Sequence, residues 1–292
     1  SFLAFLGLVF GVSIAASRKK RVGTEDYFLA GRELSWWLIG ISLIASNIST
    51  EHFVGLSGRG YAIGLAIASY EWMAAVTMVL VALFFLPRFL RAGIFTMPEY
   101  LEYRYDSTAR SIMALFMMLA YIFVALATVL YSGALALEAV IGLPLIKGIW
   151  IIGALSGAYV TYGGLRAVVW TELIQGVALL LGALLVFVLS LHAIGGWGQF
   201  TALSAGKLHT VLPWNDPEMP WLAVFFGGLW IPNTFYWGLN QFITQRTLAA
   251  RSLAEGQRGT LFAAAIKVTI PFLIIMPGIM AVQLFPDLIK TP

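Results

Sequence analysis

The stretch ASNISTEH, residues 45–52, interrupts an apolar run that extends from about residue 36 to about residue 58. Charged residues at the centre of a membrane helix cost roughly 2.5–3.5 kcal/mol each, so they are rare there. A single interhelical hydrogen bond from Asn47 would account for one polar residue only. Polar residues over two turns cover every face of a helix and cannot all face one neighbour. The stretch therefore predicts an unwound segment that lines a cavity.

A second apolar run, residues 219–242, is interrupted by the stretch GGLWIPN at residues 227–233. Two glycines and a proline within seven residues predict that this helix is also broken. A helix that breaks within the membrane frees backbone groups, which then need partners. Paired interruptions of this kind are typical of the binding site of a transporter.

The composition is that of a polytopic membrane protein. Of 292 residues, 60% are hydrophobic and 11% are charged, whereas soluble domains are about 25% charged. The mean hydropathy is +0.87. No cysteine is present, which excludes disulfides. The net charge of +4 indicates membrane topology rather than nucleic-acid binding. The chain begins and ends near apolar runs, and we expect a fragment whose later helices are missing.

Eight membrane spans are expected, at about 1–17, 36–58, 62–87, 111–141, 148–163, 168–192, 219–245 and 260–284. Thirteen of the eighteen lysines and arginines fall in one set of connecting loops and four in the other set. The basic set faces the cytoplasm by the positive-inside rule. The two interrupted spans then cross the membrane in opposite directions, five spans apart. This arrangement predicts an inverted repeat, with spans 36–192 as the first five-helix unit and 219–284 as the start of the second.

Two charged residues lie deep within predicted spans, and each has a structural and a functional interpretation. Glu71 is either part of a structural ion pair or an acceptor for a hydroxylated ligand, since a carboxylate binds hydroxyls strongly. Lys267 either extends its charge to the membrane surface or faces inward. An inward-facing Lys267 needs an acceptor such as Glu71 or a ligand hydroxyl.

Other candidates lie near the second interruption and near one span end. Asn233 is deeper than Asn240, Gln241 and Gln245, which we interpret as interfacial. Tyr236 and Trp237 either pack in the helix or close over a ligand. Glu172 is either an interfacial acid beside Arg166 or a point on a cation's exit path. No enzyme motif and no histidine cluster that would bind a metal is present in the sequence.

Four motifs carry a resemblance to a known family. They are TEDYFLAGR at 24–32 followed by Trp36 and Trp37, GLAIASYEW at 64–72, YGGLRAVVWTE at 162–172 and YWGLNQ at 236–241. Together they resemble the sodium:solute symporters, and in particular the branch of sodium/glucose and sodium/galactose cotransporters. The resemblance covers essentially the whole chain.

The resemblance implies an all-α, LeuT-like fold of inverted repeats in one transmembrane domain, residues 1–292, with an extra leading helix at 1–17. It also implies residue roles. The backbone carbonyls of Ala45 and Ile48 would bind sodium, Glu172 would lie on the sodium exit path, and Tyr236 with its neighbour Trp237 would form the inner gate. The residues that it implies for sugar contact are Asn47, His52, Glu71, Asn233 and Lys267.

The expected function is sodium-coupled import of a hexose across the plasma (inner) membrane by alternating access, without enzymatic activity. The expected partners are the sugar, sodium and the lipid bilayer, with neither nucleic acid nor an obligate protein partner. Two alternatives stay open. In the first alternative, the solute is myo-inositol or another polyol. In the second, the chain is the symporter-like sensor domain of a membrane signalling protein.

Overall fold

The computed structural model describes residues 2–17 and 23–286, and within these ranges its extended pairings are two isolated bridges. The chain is otherwise helices and connecting segments. Its principal helices are α1 (Phe2–Ser17), α2 (Thr24–Leu29), α3 (Trp36–Asn47), α4 (Ser57–Ile63), α5 (Leu65–Ala92), α6 (Met97–Arg104), α7 (Ser107–Ile141), α8 (Leu145–Ala193), α9 (Trp197–Leu203), α10 (Trp230–Thr234), α11 (Gln241–Leu248) and α12 (Leu253–Leu284).

Helices occupy all eight predicted spans. Four of those described are long and apolar enough to cross a membrane, namely Leu65–Ala92, Ser107–Ile141, Val160–Ala193 and Leu253–Leu284. The spans 148–163 and 168–192 are the two arms of α8, which turns at Gly164 with φ +56° and ψ −164°. A Cβ at this position would also lie 2.7 Å from the Tyr27 carbonyl oxygen. Glycine is therefore required both for the positive φ and for the close approach of the two segments. The basic residues 18–21 and Lys290, used to orient the chain, lie outside the described residues.

The first broken helix consists of α3 and α4, joined through a π-helical turn at His52–Leu56. Ile48 is extended, with φ −73° and ψ 117°, and ends α3 within the predicted stretch. The expected break at residues 45–52 is therefore confirmed.

The second broken helix contains α10 and α11, with π-helical turns at Val224–Gly228 and Phe235–Leu239. Its extended residue is Asn240, with φ −74° and ψ 118°. The prediction that the backbone breaks at residues 227–233 is wrong. Leu229 keeps α-helical dihedral angles, and the wide turn before it accommodates the two glycines. Pro232 lies in the first turn of α10, where a missing amide costs little.

Helix α12 is continuous and packs against α5 and both halves of the first broken helix. The approach is close because small residues line it. A Cβ at Gly259 would lie 2.8 Å from the Trp36 carbonyl oxygen, and Gly278 faces the Ser57 backbone. The Trp36 amide also donates to Glu255 of α12 at 2.7 Å, which caps the start of α3. Helix α12 thus packs against α3 and α4, on both sides of the break, and fixes their positions relative to each other.

The close approach at Gly259 predicts a sensitive position. Gly259→Ala is expected to lower the free energy of unfolding by about 1–3 kcal/mol, since the methyl group meets backbone rather than a flexible side chain. Gly157→Ala, on an exposed face of α8 with open space around it, is the matched control and is expected to change stability by less than about 1 kcal/mol. Thermal unfolding in detergent measures both. Equal shifts would contradict the packing argument.

Candidate solute and cation site

The break in α3–α4 frees two particular carbonyl oxygens. In a continuous helix the amides of Ser49 and His52 would donate to the carbonyls four residues earlier, which are those of Ala45 and Ile48. Here the Ser49 amide lies 3.4 Å from Nδ1 of His52, and the His52 amide donates to the Ser49 carbonyl at 3.0 Å. The carbonyls of Ala45 and Ile48 are therefore released from these bonds, and they are the two that the resemblance assigned to sodium.

Ala45 and Ile48 also line a cavity of about 630 Å³ between the first broken helix and the second arm of α8. Its other walls include Phe53, Gln175 and Leu179. A hard cation takes oxygen ligands, and released backbone carbonyls are such ligands. Among the described residues, no group of three or more His, Asp or Glu side chains that could hold a metal ion is present.

A charged cluster lies beside the break. Oε2 of Glu71 is 2.5 Å from Nζ of Lys267, and both side chains are almost fully buried. Nε2 of His52 is 3.6 Å from the other Glu71 oxygen, and the Lys267 ammonium lies 5.4 Å from the centroid of the Trp237 ring. Lys267 therefore faces inward, and the alternative in which it extends to the membrane surface is wrong. Burial of both charges is tolerated because each has the other as a partner.

Glu71 and Lys267 line a cavity of about 220 Å³ together with Asn47, Asn233 and Tyr236. Tyr70, Ala74, Leu229, Pro232 and Trp237 complete its wall. Nδ2 of Asn47 donates to the Tyr236 hydroxyl at 3.1 Å, whereas its Oδ1 is buried without a hydrogen-bond partner. A buried acceptor without a donor is costly, and a ligand hydroxyl would supply one. Of the five residues that the resemblance implied for sugar contact, four line this cavity, and His52 contacts it through Glu71.

Tyr236 lines this cavity and also a second one. The second cavity measures about 460 Å³ and lies between α7 and the two broken helices. Asn47 and Tyr236 line both cavities, and Tyr121, Asn240 and Phe242 line the second. Trp237 packs edge-on against Tyr236, with ring centroids 5.0 Å apart. Asn47 and Tyr236, which are bonded to each other, therefore lie where the two cavities approach.

Glu172 is buried and belongs to an ion pair that the sequence did not predict. It contacts Arg246 of α11 and the hydroxyls of Ser42 and Ser46 of α3. Arg166, its expected neighbour, instead pairs with Glu33 at 2.7 Å. The interfacial interpretation of Glu172 beside Arg166 is therefore wrong. The network joins α8 to α3 and α11, which are one half of each broken helix.

Asn240, Gln241 and Gln245, which the sequence favours as interfacial, all make contacts with other helices or with the segments between them. Asn240 is the extended residue of the second break, and its side chain is bonded to Tyr121 of α7. Gln241 accepts the Met97 amide at the start of α6. Gln245 donates to the Phe28 carbonyl. Sequence reasoning missed Tyr121 and Arg246, because an aromatic residue in an apolar span and a basic residue near a span end have ordinary explanations.

Comparisons with known proteins agree with this geometry. The model of the sodium:solute symporter family matches residues 27–291. The chain is 46% identical to a sodium/glucose cotransporter of Vibrio parahaemolyticus, over 98% of this chain and 55% of that protein. It is 36% identical to the sodium/myo-inositol cotransporter 2 of Mus musculus, over 92% of this chain and 43% of that protein. The chain thus spans about half the length of the curated relatives that it matches.

The fold is also that of a solved symporter. The structure described as the substrate-bound outward-open state of a Na+-coupled sialic acid symporter superposes with a TM-score of 0.89 at 26% identity. The match covers 99% of this chain and 61% of that one. The expected helical fold with two broken helices is confirmed.

The buried ion pair gives a stability prediction. Lys267→Met leaves the Glu71 carboxylate unpaired and is expected to cost about 3–5 kcal/mol, whereas Lys267→Met combined with Glu71→Gln should recover most of that loss. Arg59→Met is the control, since it breaks the half-exposed pair with Glu218 and should cost less than about 1 kcal/mol. Thermal unfolding in detergent compares the three. A double variant as unstable as the single one would refute the pairing argument.

Proposed function

The chain belongs to the sodium:solute symporter family, and we propose that the protein imports a hexose of the glucose or galactose type together with sodium. One observation carries the proposal. The cavity between the broken helices presents a paired carboxylate and ammonium, two amides and a tyrosine ring within about 220 Å³. This volume lies below the range of about 300–1,000 Å³ for drug-sized ligands and suits a solute with a single ring.

The polar groups of this cavity match a polyhydroxylated solute. Glu71 accepts hydrogen bonds, Lys267 donates them, and the free Oδ1 of Asn47 accepts one more. Hydroxyl groups both donate and accept, so one sugar can satisfy all three. The bonds to Glu71 and Lys267 are charge-assisted and therefore stronger than neutral ones. Asn233 and His52 are proposed to orient the same solute from the two broken helices.

Sodium is proposed to bind the carbonyls of Ala45 and Ile48, because the break releases these oxygens from their helical bonds and both residues line a cavity. Asn47 lies between the two carbonyls in the chain, so a cation there would order the segment that presents Asn47 to the solute. Such an arrangement makes the binding of each ligand favour the other, as linkage requires.

The energy of sodium entry is sufficient for accumulation. One sodium ion crossing about 100 mV releases roughly 2.3 kcal/mol, and a tenfold concentration gradient adds about 1.4 kcal/mol. Together they support accumulation of a neutral solute by several hundredfold. Release of the solute requires the Tyr236 hydroxyl to break its hydrogen bond with Asn47. The ring can then move and open a path from the solute cavity to the second cavity. Glu172 is proposed to receive sodium on its way out, which requires its contact with Arg246 to loosen.

A second candidate solute is myo-inositol or another polyol, which the similarity to a sodium/myo-inositol cotransporter favours. The same donors and acceptors would bind it. We propose the hexose because the similarity to a sodium/glucose cotransporter is higher, at 46% against 36% identity. The proposed location is the inner (plasma) membrane.

Uptake into proteoliposomes tests the function. The complete protein is expected to accumulate labelled glucose or galactose when an inward sodium gradient is imposed, and potassium should not replace sodium. Unlabelled hexose is expected to compete better than myo-inositol. Uptake that continues undiminished without the sodium gradient would refute sodium coupling, and stronger competition by myo-inositol would assign the solute to the polyols.

The Asn47 side chain gives a sharper test of the site. Asn47→Ala removes the free acceptor and the bond to Tyr236, and it is expected to raise the KM for the solute about tenfold or more. Asn215→Ala, on the exposed loop before the second broken helix, is the control and should leave uptake unchanged. Equal KM values for the two variants would exclude Asn47 from the site.

A further inference from the structure

The two breaks have nearly the same backbone conformation but different partners. The dihedral angles of Ile48 and Asn240 agree within 1°. Around Ile48 the freed amides bond within the same segment, to Oγ of Ser49 and toward Nδ1 of His52. Around Asn240 the partner comes from another helix, more than a hundred residues away in the chain.

That partner is the Tyr121 hydroxyl of α7. It donates to Oδ1 of Asn240 at 2.5 Å and accepts the backbone amide of Gln241 at 3.0 Å. Asparagine at the start of a helix ordinarily accepts from an amide of the first turn, but Asn240 makes no such bond to α11. The tyrosine hydroxyl takes over this role and caps α11 from outside its own segment.

The same residue supports the gate through ring contacts. The Tyr121 ring lies edge-on to Phe242 with centroids 6.1 Å apart, and Phe242 lies edge-on to Tyr236 with centroids 5.7 Å apart. Asn240 is buried and Gln241 is half-buried, so removal of the Tyr121 hydroxyl would leave the Gln241 amide without its partner in a largely enclosed place. Any shift of the break would therefore be transmitted to the Tyr236 ring, which lines both cavities.

We propose that Tyr121 is a positioning residue that holds the second break and, through Phe242, the Tyr236 gate. It lines the second cavity but not the solute cavity, so it acts on the gate rather than on solute affinity. The expected effect of Tyr121 on transport rests on the proposed symport function, whereas its expected effect on the backbone at Asn240 and Gln241 does not. Two separate measurements can therefore be made on one variant.

Hydrogen–deuterium exchange of the complete protein tests the backbone role. Tyr121→Phe keeps the ring and removes only the hydroxyl, and the Gln241 amide is expected to exchange about tenfold faster or more. Asn240→Ala, which removes the acceptor and keeps Tyr121, should also accelerate exchange in residues 240–244. Tyr131→Phe is the matched control, because Tyr131 lies on the same helix and its ring is half exposed. In this variant the Gln241 amide should exchange at the wild-type rate. Wild-type exchange in both Tyr121→Phe and Asn240→Ala would overturn the proposal.

Transport kinetics of the same variants test the gate role. Tyr121→Phe is expected to lower the maximal uptake rate about tenfold while the KM for the solute changes less than about twofold. A raised KM at an unchanged maximal rate would overturn the gate role and place Tyr121 at the solute instead. A wild-type protein without sodium-dependent uptake would count against the proposed function, and the exchange measurement would still decide the role of Tyr121.

Discussion

The structure depends on one constraint, which is that backbone groups freed inside an apolar protein must find partners. Two residues, Ile48 and Asn240, leave the helical conformation in the same way. Each break releases amides and carbonyls that neither lipid nor an apolar core can satisfy. At the first break the amides are bonded locally, and the two carbonyls released belong to residues that line a cavity. At the second break a tyrosine hydroxyl satisfies the amide. The same backbone distortion thus gives a candidate ligand site in one helix and a contact with a neighbouring helix in the other.

The buried charges follow the same principle. Glu71 is paired with Lys267, and Glu172 with Arg246, and in each case the partners come from different helices. The first pair joins α5 to α12 and lines the candidate solute cavity. The second joins α8 to α11. Such pairs contribute little net stability, but they strongly disfavour arrangements in which one partner is separated from the other. They therefore specify how the broken helices sit against the continuous ones.

The first broken helix, the eight helical spans and the deep position of Glu71 could be predicted because each leaves a local pattern. An interrupted apolar run, a run of about twenty apolar residues and a deeply placed carboxylate are visible in the chain itself. The position of the second break could not be predicted in this way. Glycine and proline at 227–233 are strong local signals, yet a π-helical turn accommodates the two glycines, and Pro232 lies in the first turn of α10. Asn240 carries a weaker local signal, and it breaks the helix where Tyr121 provides a partner.

The sequence by itself determined that the chain is a helical membrane protein of the symporter family, with polar residues at the centre of two spans. These properties depend on composition and on spacing along one helix. Only the tertiary structure decided which charges pair, that Lys267 faces inward, and that Arg246 rather than Arg166 is the partner of Glu172. It also decided where the second helix breaks. The reason is physical: a buried charge or a freed backbone group is stable only beside its partner, and these partners lie 74 to 196 residues away in the chain.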